Sequence, residues 1–183
     1  EEPCISGKDG SGTVFFTGCN LQCVYCQNNS IAKGEIGKEV SIERLADIFI
    51  ELQEKKANNI NLVTPSHYIN KIAKTIRLSK KKGLKIPIVY NSSGYEKVES
   101  LRLLEGLIDI YLPDCKYFDD EIAKRYSNAP GYYNIALNAI KEMLRQVGSA
   151  KFDDNGLMKS GVIARHLVLP SNIEDSKKVI KSL

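Results

Sequence analysis

Three cysteines crowd into eight residues, Cys19-Asn20-Leu21-Gln22-Cys23-Val24-Tyr25-Cys26, with the spacing C-x3-C-x2-C. Loops this short bring three thiolates to one centre at little cost in closure entropy. The number three is informative. A structural zinc site closes on four ligands, usually in two separated pairs. A four-iron cluster has four iron corners, so three thiolates leave one iron free to bind something else. From the residues alone three chemistries stay open. One is a cluster with a free iron. The second is a zinc site completed by His67, His166 or Cys115, and the third an electron-transfer cluster closed by Cys115. A cluster on three thiolates is anionic and attracts a cationic cosubstrate such as a sulfonium ion. Cys4 and Cys115 taken singly read as inert, small hydrophobes.

The rest of the chain has to position that triplet. At 183 residues it fits one domain of roughly 150 residues with little to spare. Its 43% hydrophobic and 26% charged residues are ordinary for a globular protein and exclude a disordered one. The net charge of +4 is too small to imply a nucleic-acid partner. No apolar run approaches the roughly 18 residues of a membrane span, so no membrane partner is expected. Five cysteines are an odd number, unlike a secreted disulfide scaffold. Crowded thiols suit a metal or cluster site in a reducing compartment, the cytoplasm.

Strands are expected at 13–17, 60–63, 87–90, 107–112 and 162–169, from β-branched and aromatic runs closed by Gly or Pro. Apolar residues at helical spacing predict helices between them, the first over 42–56 with Ser41 as N-cap. Asp119 is expected to cap a short helix ending at Ser127, and Asp153-Asp154-Asn155-Gly156 to form a turn at the tip of a hairpin. Lys80, Lys81 and Lys82 fall where a helix C-terminus favours cations. The order is βαβαβαβαβα, an α/β chain whose strands must be parallel with right-handed crossovers. An open doubly wound sheet and an arc of a (βα) barrel both satisfy it, and both place ligands at the carboxyl ends of the strands.

Gly18 to Cys26 resembles the cluster motif of the radical S-adenosylmethionine (SAM) superfamily, C-x3-C-x-aromatic-C. The resemblance runs on through Leu62-Val63-Thr64-Pro65-Ser66-His67-Tyr68, Val89 to Tyr95, Tyr111-Leu112-Pro113-Asp114-Cys115-Lys116-Tyr117 and Arg165 to Pro170. It is similar to the branch related to pyruvate formate-lyase activating enzyme. The resemblance implies a partial (βα) barrel of the radical SAM type as a single domain over 1–183, with 18–40 as the cluster-binding loop. Such barrels usually have six βα units. Five are counted here, so a fragment truncated at the C-terminus is expected.

Residue by residue, the resemblance implies that Cys19, Cys23 and Cys26 hold a 4Fe-4S cluster and that Tyr25 lies against the adenine of SAM. Val63-Thr64-Pro65-Ser66 stands where the superfamily usually has Gly-Gly-Glu-Pro, which makes Thr64 and Ser66 candidates for the SAM amino group without the glutamate's charge. Asn91 and Ser92 match a segment near SAM that helps hold a monovalent cation in the activating enzyme, where an aspartate is typical in place of Asn91. Asp114 and Lys116 match the pair at the ribose and carboxylate, and Arg165, within the predicted fifth strand, is matched to the SAM carboxylate. His67 and His166 are expected to be satisfied structurally or by solvent. The implied activity is reductive cleavage of SAM to methionine and a 5′-deoxyadenosyl radical that abstracts hydrogen. The implied partners are a glycyl-radical protein and a low-potential electron donor such as flavodoxin or ferredoxin. A small-molecule substrate and a non-catalytic zinc or iron–sulfur module are the alternatives.

Overall fold

A computed structural model describes residues 2–183. Its elements follow the predicted alternation. The chain begins α1 (Pro3–Ser6), β1 (Gly12–Phe15), α2 (Asn29–Ala32), α3 (Ile42–Glu54) and β2 (Ile60–Val63). A 3-10 turn at Ser66–Tyr68 leads into α4 (Ile69–Lys81), then β3 (Ile88–Ser92), α5 (Val98–Arg102) and β4 (Ile110–Pro113). There follow α6 (Asp120–Ser127), α7 (Tyr132–Val147), β5 (Lys151–Phe152), β6 (Met158–Val162) and α8 (Ile173–Ser182). The sheet order is β1-β2-β3-β4-β6-β5, unclosed, with every neighbouring pair parallel except the β5–β6 hairpin at the far edge. No helix among the described residues is long and apolar enough to cross a membrane.

The caps read from the sequence are present. Ser41 Oγ accepts from the Arg44 amide at 3.1 Å, and Asp119 accepts from the Glu121 and Ile122 amides. The hairpin turn is built on Asp153, whose side chain accepts from the Asn155 and Leu157 amides. The fifth parallel strand is displaced from its predicted place. It runs Met158–Val162, and the residues beyond it touch the sheet only through an Asp114–Arg165 bridge and single hydrogen bonds along β4. Leu167 and Val168 turn out to solvent. Their apolar run looked like strand, but β4 ends at Pro113 and offers them no further ladder.

Strand alternation sorts the core into two layers. One face, with Leu62, Tyr90 and Tyr111, packs on Phe49 of α3, Ile72 and Ile76 of α4 and Met143 of α7. The other face carries Val89, Ile110 and Leu112 against Met158 and Ile5. Ile5 belongs to α1, which the Asn59 amide nitrogen holds through the Ile5 carbonyl at 2.8 Å. The N-terminal segment thus covers the inner face that an unclosed arc leaves open.

The ends of β3 and β4 are tied by one phenol. Tyr132, fully buried at the start of α7, accepts from the Lys116 amide at 3.0 Å and faces the carbonyls of Ser93 and Asp114 at 2.7 and 2.9 Å. Gly94 makes room for this approach: with φ at +75°, a Cβ there would sit 2.1 Å from the Asp114 carbonyl oxygen. Losing the hydroxyl leaves buried backbone groups without partners, at about 1–3 kcal/mol. Tyr132→Phe is therefore expected to lower the urea midpoint by an amount in that range, and Gly94→Ala to lower it further. Wild-type midpoints in both variants would contradict the tie.

Candidate functional site

The cysteine loop leaves β1 through Gly18, whose φ of +82° suits only glycine comfortably. Leu21 anchors it, buried with Tyr117, Ala123, Tyr132 and Ala136 from α6, α7 and their approaches. The Gln22 amide donates to the Ser127 carbonyl and the Val24 amide to the Tyr126 carbonyl, both at 2.9 Å. The last carbonyls of a helix have no partner within it, and here the loop supplies two. Asn20 adds a bond from its amide nitrogen to the Tyr95 carbonyl at 2.7 Å.

Seated this way, Cys19, Cys23 and Cys26 line one cavity of about 600 Å³, together with Tyr25. That is a usual volume for a small-molecule site. The facing wall comes from the strand ends: Thr64 after β2, Asn91 and Ser92 of β3, Asp114 and Lys116 after β4, and Arg165 beyond β6. Every site residue read from the sequence therefore meets in one cavity, with the exception of Ser66.

The charged wall is a compact network. Lys116 Nζ lies 2.6 Å from Asp114 Oδ2, and Arg165 Nη2 lies 2.9 Å from Asp114 Oδ1 and 2.6 Å from Asn91 Oδ1. Burial alone would lower the pKa of the Lys116 ammonium, but the Asp114 carboxylate outweighs it and leaves the value above that of an ordinary lysine. Arg165 stands past the end of β6 rather than inside a strand, and it already has a carboxylate partner. Its Nε remains buried without one, as do Asn61 Oδ1 and Ser11 Oγ in the same cavity wall. Unmatched buried polar atoms are costly, and these three belong to residues that line one cavity. The Arg165 guanidinium also takes the Asn91 oxygen that a monovalent cation would need.

Ser66 is turned elsewhere. Its hydroxyl donates to the buried Glu96 carboxylate at 2.5 Å, and Tyr90 donates to the same oxygen at 3.2 Å. Thr64 holds a left-handed backbone at φ +58°, a conformation costly for a residue with a Cβ. The zinc and closed-cluster readings lose candidate ligands. Cys115 is buried beside Ile140 and Val179, and burial pushes its thiol up to about 11. His67 packs against Tyr68 and below Gly18; neither residue lines the cavity. His166 does line it, with Nδ1 on the Cys115 carbonyl at 2.7 Å and Nε2 unpartnered.

Three cysteines on one cavity are, in kind, the donor set of an iron–sulfur cluster, although among the described residues no three potential ligands are gathered closely enough to hold a metal ion. Burial raises the Cys19 pKa, the Leu21 amide at 3.4 Å draws it back, and the neighbouring Cys23 and Cys26 raise it again. The neighbouring thiolates thus act against ionisation of Cys19, an effect that a bound cation would offset. Sequence reasoning missed Tyr117, Ser127, Tyr132, Glu96 and Glu2. The tyrosines sit in apolar patterns and look like core. Glu2, whose Oε1 is 3.6 Å from Arg165 Nη1, has no local signal at all.

A parallel α/β arc carries three cysteines on the loop after its first strand, opposite cations at the later strand ends, around one cavity at the carboxyl ends of the strands. The model of the Radical SAM superfamily matches residues 13–181, and the chain belongs to that superfamily. It is 31% identical over 173 residues to the uncharacterised protein MJ0674 of Methanocaldococcus jannaschii, covering 90% of this chain and 46% of that one. It is 26% identical over 191 residues to a pyruvate formate-lyase-activating enzyme of Clostridium pasteurianum, covering 96% and 69%. Its fold is similar to the crystal structure of methylornithine synthase (PylB), with a TM-score of 0.61 at 15% identity, covering 93% of this chain and 49% of that one. The chain thus spans about half the length of MJ0674.

Glu96 gives the site a pH signature. Burial raises its pKa, and the Ser66, Tyr90 and Ser92 hydroxyls only partly offset this. The unfolded chain releases the glutamate proton near pH 4.3, whereas the folded chain keeps it to a higher pH. Between the two values the native state binds more protons, so the Glu96 contribution to stability falls as pH rises. Glu96→Gln, which still accepts from Ser66 and Tyr90, is expected to remove that decline. Urea midpoints of variant and parent should diverge in the variant's favour from pH 4 to pH 7. Parallel curves would refute the assignment.

Proposed function

We propose that the protein is a radical SAM enzyme of the activating-enzyme type, which reductively cleaves SAM and passes the radical to a glycine in a partner protein. The observation that carries this reading is the meeting of Cys19, Cys23 and Cys26 with Asp114, Lys116 and Arg165 across one cavity. The three cysteines would hold a 4Fe-4S cluster. When bound, the cluster supplies the electron that splits SAM into methionine and a 5′-deoxyadenosyl radical.

The chain's own residues bind and orient the nucleoside. Arg165 and Lys116 meet the SAM carboxylate, and Arg165 brings a nitrogen that has no partner among the described residues. Asp114 keeps both cations in place and faces the ribose. Thr64 offers main-chain groups to the amino group, Asn91 and Ser92 complete the floor, and Tyr25 flanks the adenine. Similarity to the Clostridium pasteurianum activating enzyme supports a glycyl-radical protein as substrate and a flavodoxin or ferredoxin as electron donor. Work in the cytoplasm follows from the reduced thiols such a site requires.

After anaerobic reconstitution with iron and sulfide, the chain with dithionite and SAM should release 5′-deoxyadenosine and methionine. Cys19→Ala, Cys23→Ala and Cys26→Ala should each abolish release. Arg165→Met should retain iron and sulfide but weaken SAM binding roughly tenfold or more, as expected for loss of one charged hydrogen bond worth about 1.5–3 kcal/mol. A loaded cluster that cleaves no SAM would sink the proposal. A glycine-centred paramagnetic signal in a candidate partner would identify the substrate class, and radical transfer only to a small molecule would replace it.

A further inference from the structure

The Cys23 sulfur has a neighbour that the cluster motif does not announce. Ser127, the last residue of α6 and fully buried, places its hydroxyl oxygen 2.9 Å from Cys23 Sγ. Behind it, Tyr117 OH lies 2.5 Å from Ser127 Oγ, and Tyr25 OH is hydrogen-bonded to Tyr117 OH. Tyr117 is also almost fully buried.

The direction of this chain is forced by counting protons. A cysteine sulfur that holds iron has no proton and can only accept. Ser127 has one hydroxyl proton, so that proton goes to Cys23. Tyr117 must then donate to Ser127, and Tyr25 to Tyr117. Three aligned O–H dipoles polarise one another toward the sulfur. Among the described residues, Cys19 receives only a main-chain amide, from Leu21 at 3.4 Å, and Cys26 receives no hydroxyl.

We infer that Ser127 is a positioning residue for the cluster, donating through the Tyr25–Tyr117–Ser127 chain to the Cys23 sulfur and raising the potential at which the cluster takes up its electron. Hydrogen bonds to cluster sulfurs favour the state with more negative charge on them, which is the reduced state. The same residue seats the loop through its carbonyl, which accepts from the Gln22 amide. One position therefore both holds the loop and sets the charge it tolerates. Tyr25 takes part through its hydroxyl, a role separate from packing its ring on a nucleoside.

The inference rests on the cluster reading above, and two measurements separate the two. Iron and sulfide per chain report whether a cluster binds. A reductive titration with dithionite, followed by paramagnetic resonance, reports the midpoint of a one-electron couple in which no bond is made or broken. In the full chain, reconstituted anaerobically, Ser127→Ala should keep iron and sulfide and shift the midpoint to more negative potential. Ser127→Thr, which restores the hydroxyl, should bring it back. Tyr117→Phe should shift it the same way by less, and Tyr25→Phe by least. A loaded Ser127→Ala chain with the parent midpoint overturns the inference. If that variant takes up no cluster, Tyr117→Phe decides, because it leaves Ser127 intact: an unchanged midpoint there also overturns it. A parent chain that binds no iron sinks the proposed function, and this inference with it.

Discussion

At the end of β4 one carboxylate, Asp114, faces two cations, and strand order makes it so. Lys116 follows it by two residues, while Arg165 reaches it across the β4–β6 pairing. Taking these charges out of water is costly unless they match, and Glu2, bridged to Arg165, supplies the second anion that balances the two cations. Glu2 contributes at 3.6 Å, beyond hydrogen-bonding length, and Arg165 Nε still finds nothing. The wall is a charge-balanced network with one unpaired donor left over. Parallel register is the condition for it. Were β6 to slip by one residue against β4, side-chain alternation would turn Arg165 to the other face.

The opposite wall is built by a different device. The cysteine loop contributes no strand and buries only Leu21 deeply. Its backbone is held by the terminal carbonyls of α6, groups that every helix leaves unsatisfied. The two walls are then joined through aromatic side chains. Tyr132 stacks on Tyr95 with ring centroids 5.9 Å apart and meets Tyr117 edge-on at 5.3 Å. Its hydroxyl meanwhile ties the loops after β3 and β4. Tyr117 continues from that cluster toward Ser127 and Cys23. Apolar stacking sets the spacing of the walls, and the tyrosine hydroxyls at its edge handle the polar atoms there.

Local patterns in the sequence are enough for the alternation of strands and helices, the Ser41 and Asp119 caps and the cysteine triplet, because each is written in neighbouring residues. What it left out is non-local. Arg165 was read as buried in a strand; it lies beyond β6, in an isolated bridge to Asp114 past the end of β4, with its side chain part-exposed at the cavity. Ser66 sits where the motif suggests a ligand contact, but Glu96, thirty residues on, captures its hydroxyl. Ser127 and Tyr117 carry no signal in sequence, since a serine ending a helix and a tyrosine before one are commonplace. Only the fold shows that they line up on a cysteine 104 residues away from Ser127.

The departure at Val63-Thr64-Pro65-Ser66 follows from the same accounting. Where relatives of this kind present a glutamate, this chain has no carboxylate, and Glu96 does not replace it. Glu96 is buried behind Ser66 with its oxygen engaged by two hydroxyls, and burial disfavours its charged form. What faces the cavity is Thr64, held at φ +58°. A β-branched residue stays in that region only if its surroundings insist. Two bonds do so: the Thr64 amide on the Asn91 carbonyl, and Ser66 on Glu96. On the proposed reading, the ammonium of the bound nucleoside is met here by main-chain dipoles, and its formal charge is balanced across the cavity by the anionic cluster. Glu96 then serves by fixing the turn, a task that an uncharged carboxyl performs as well as a carboxylate.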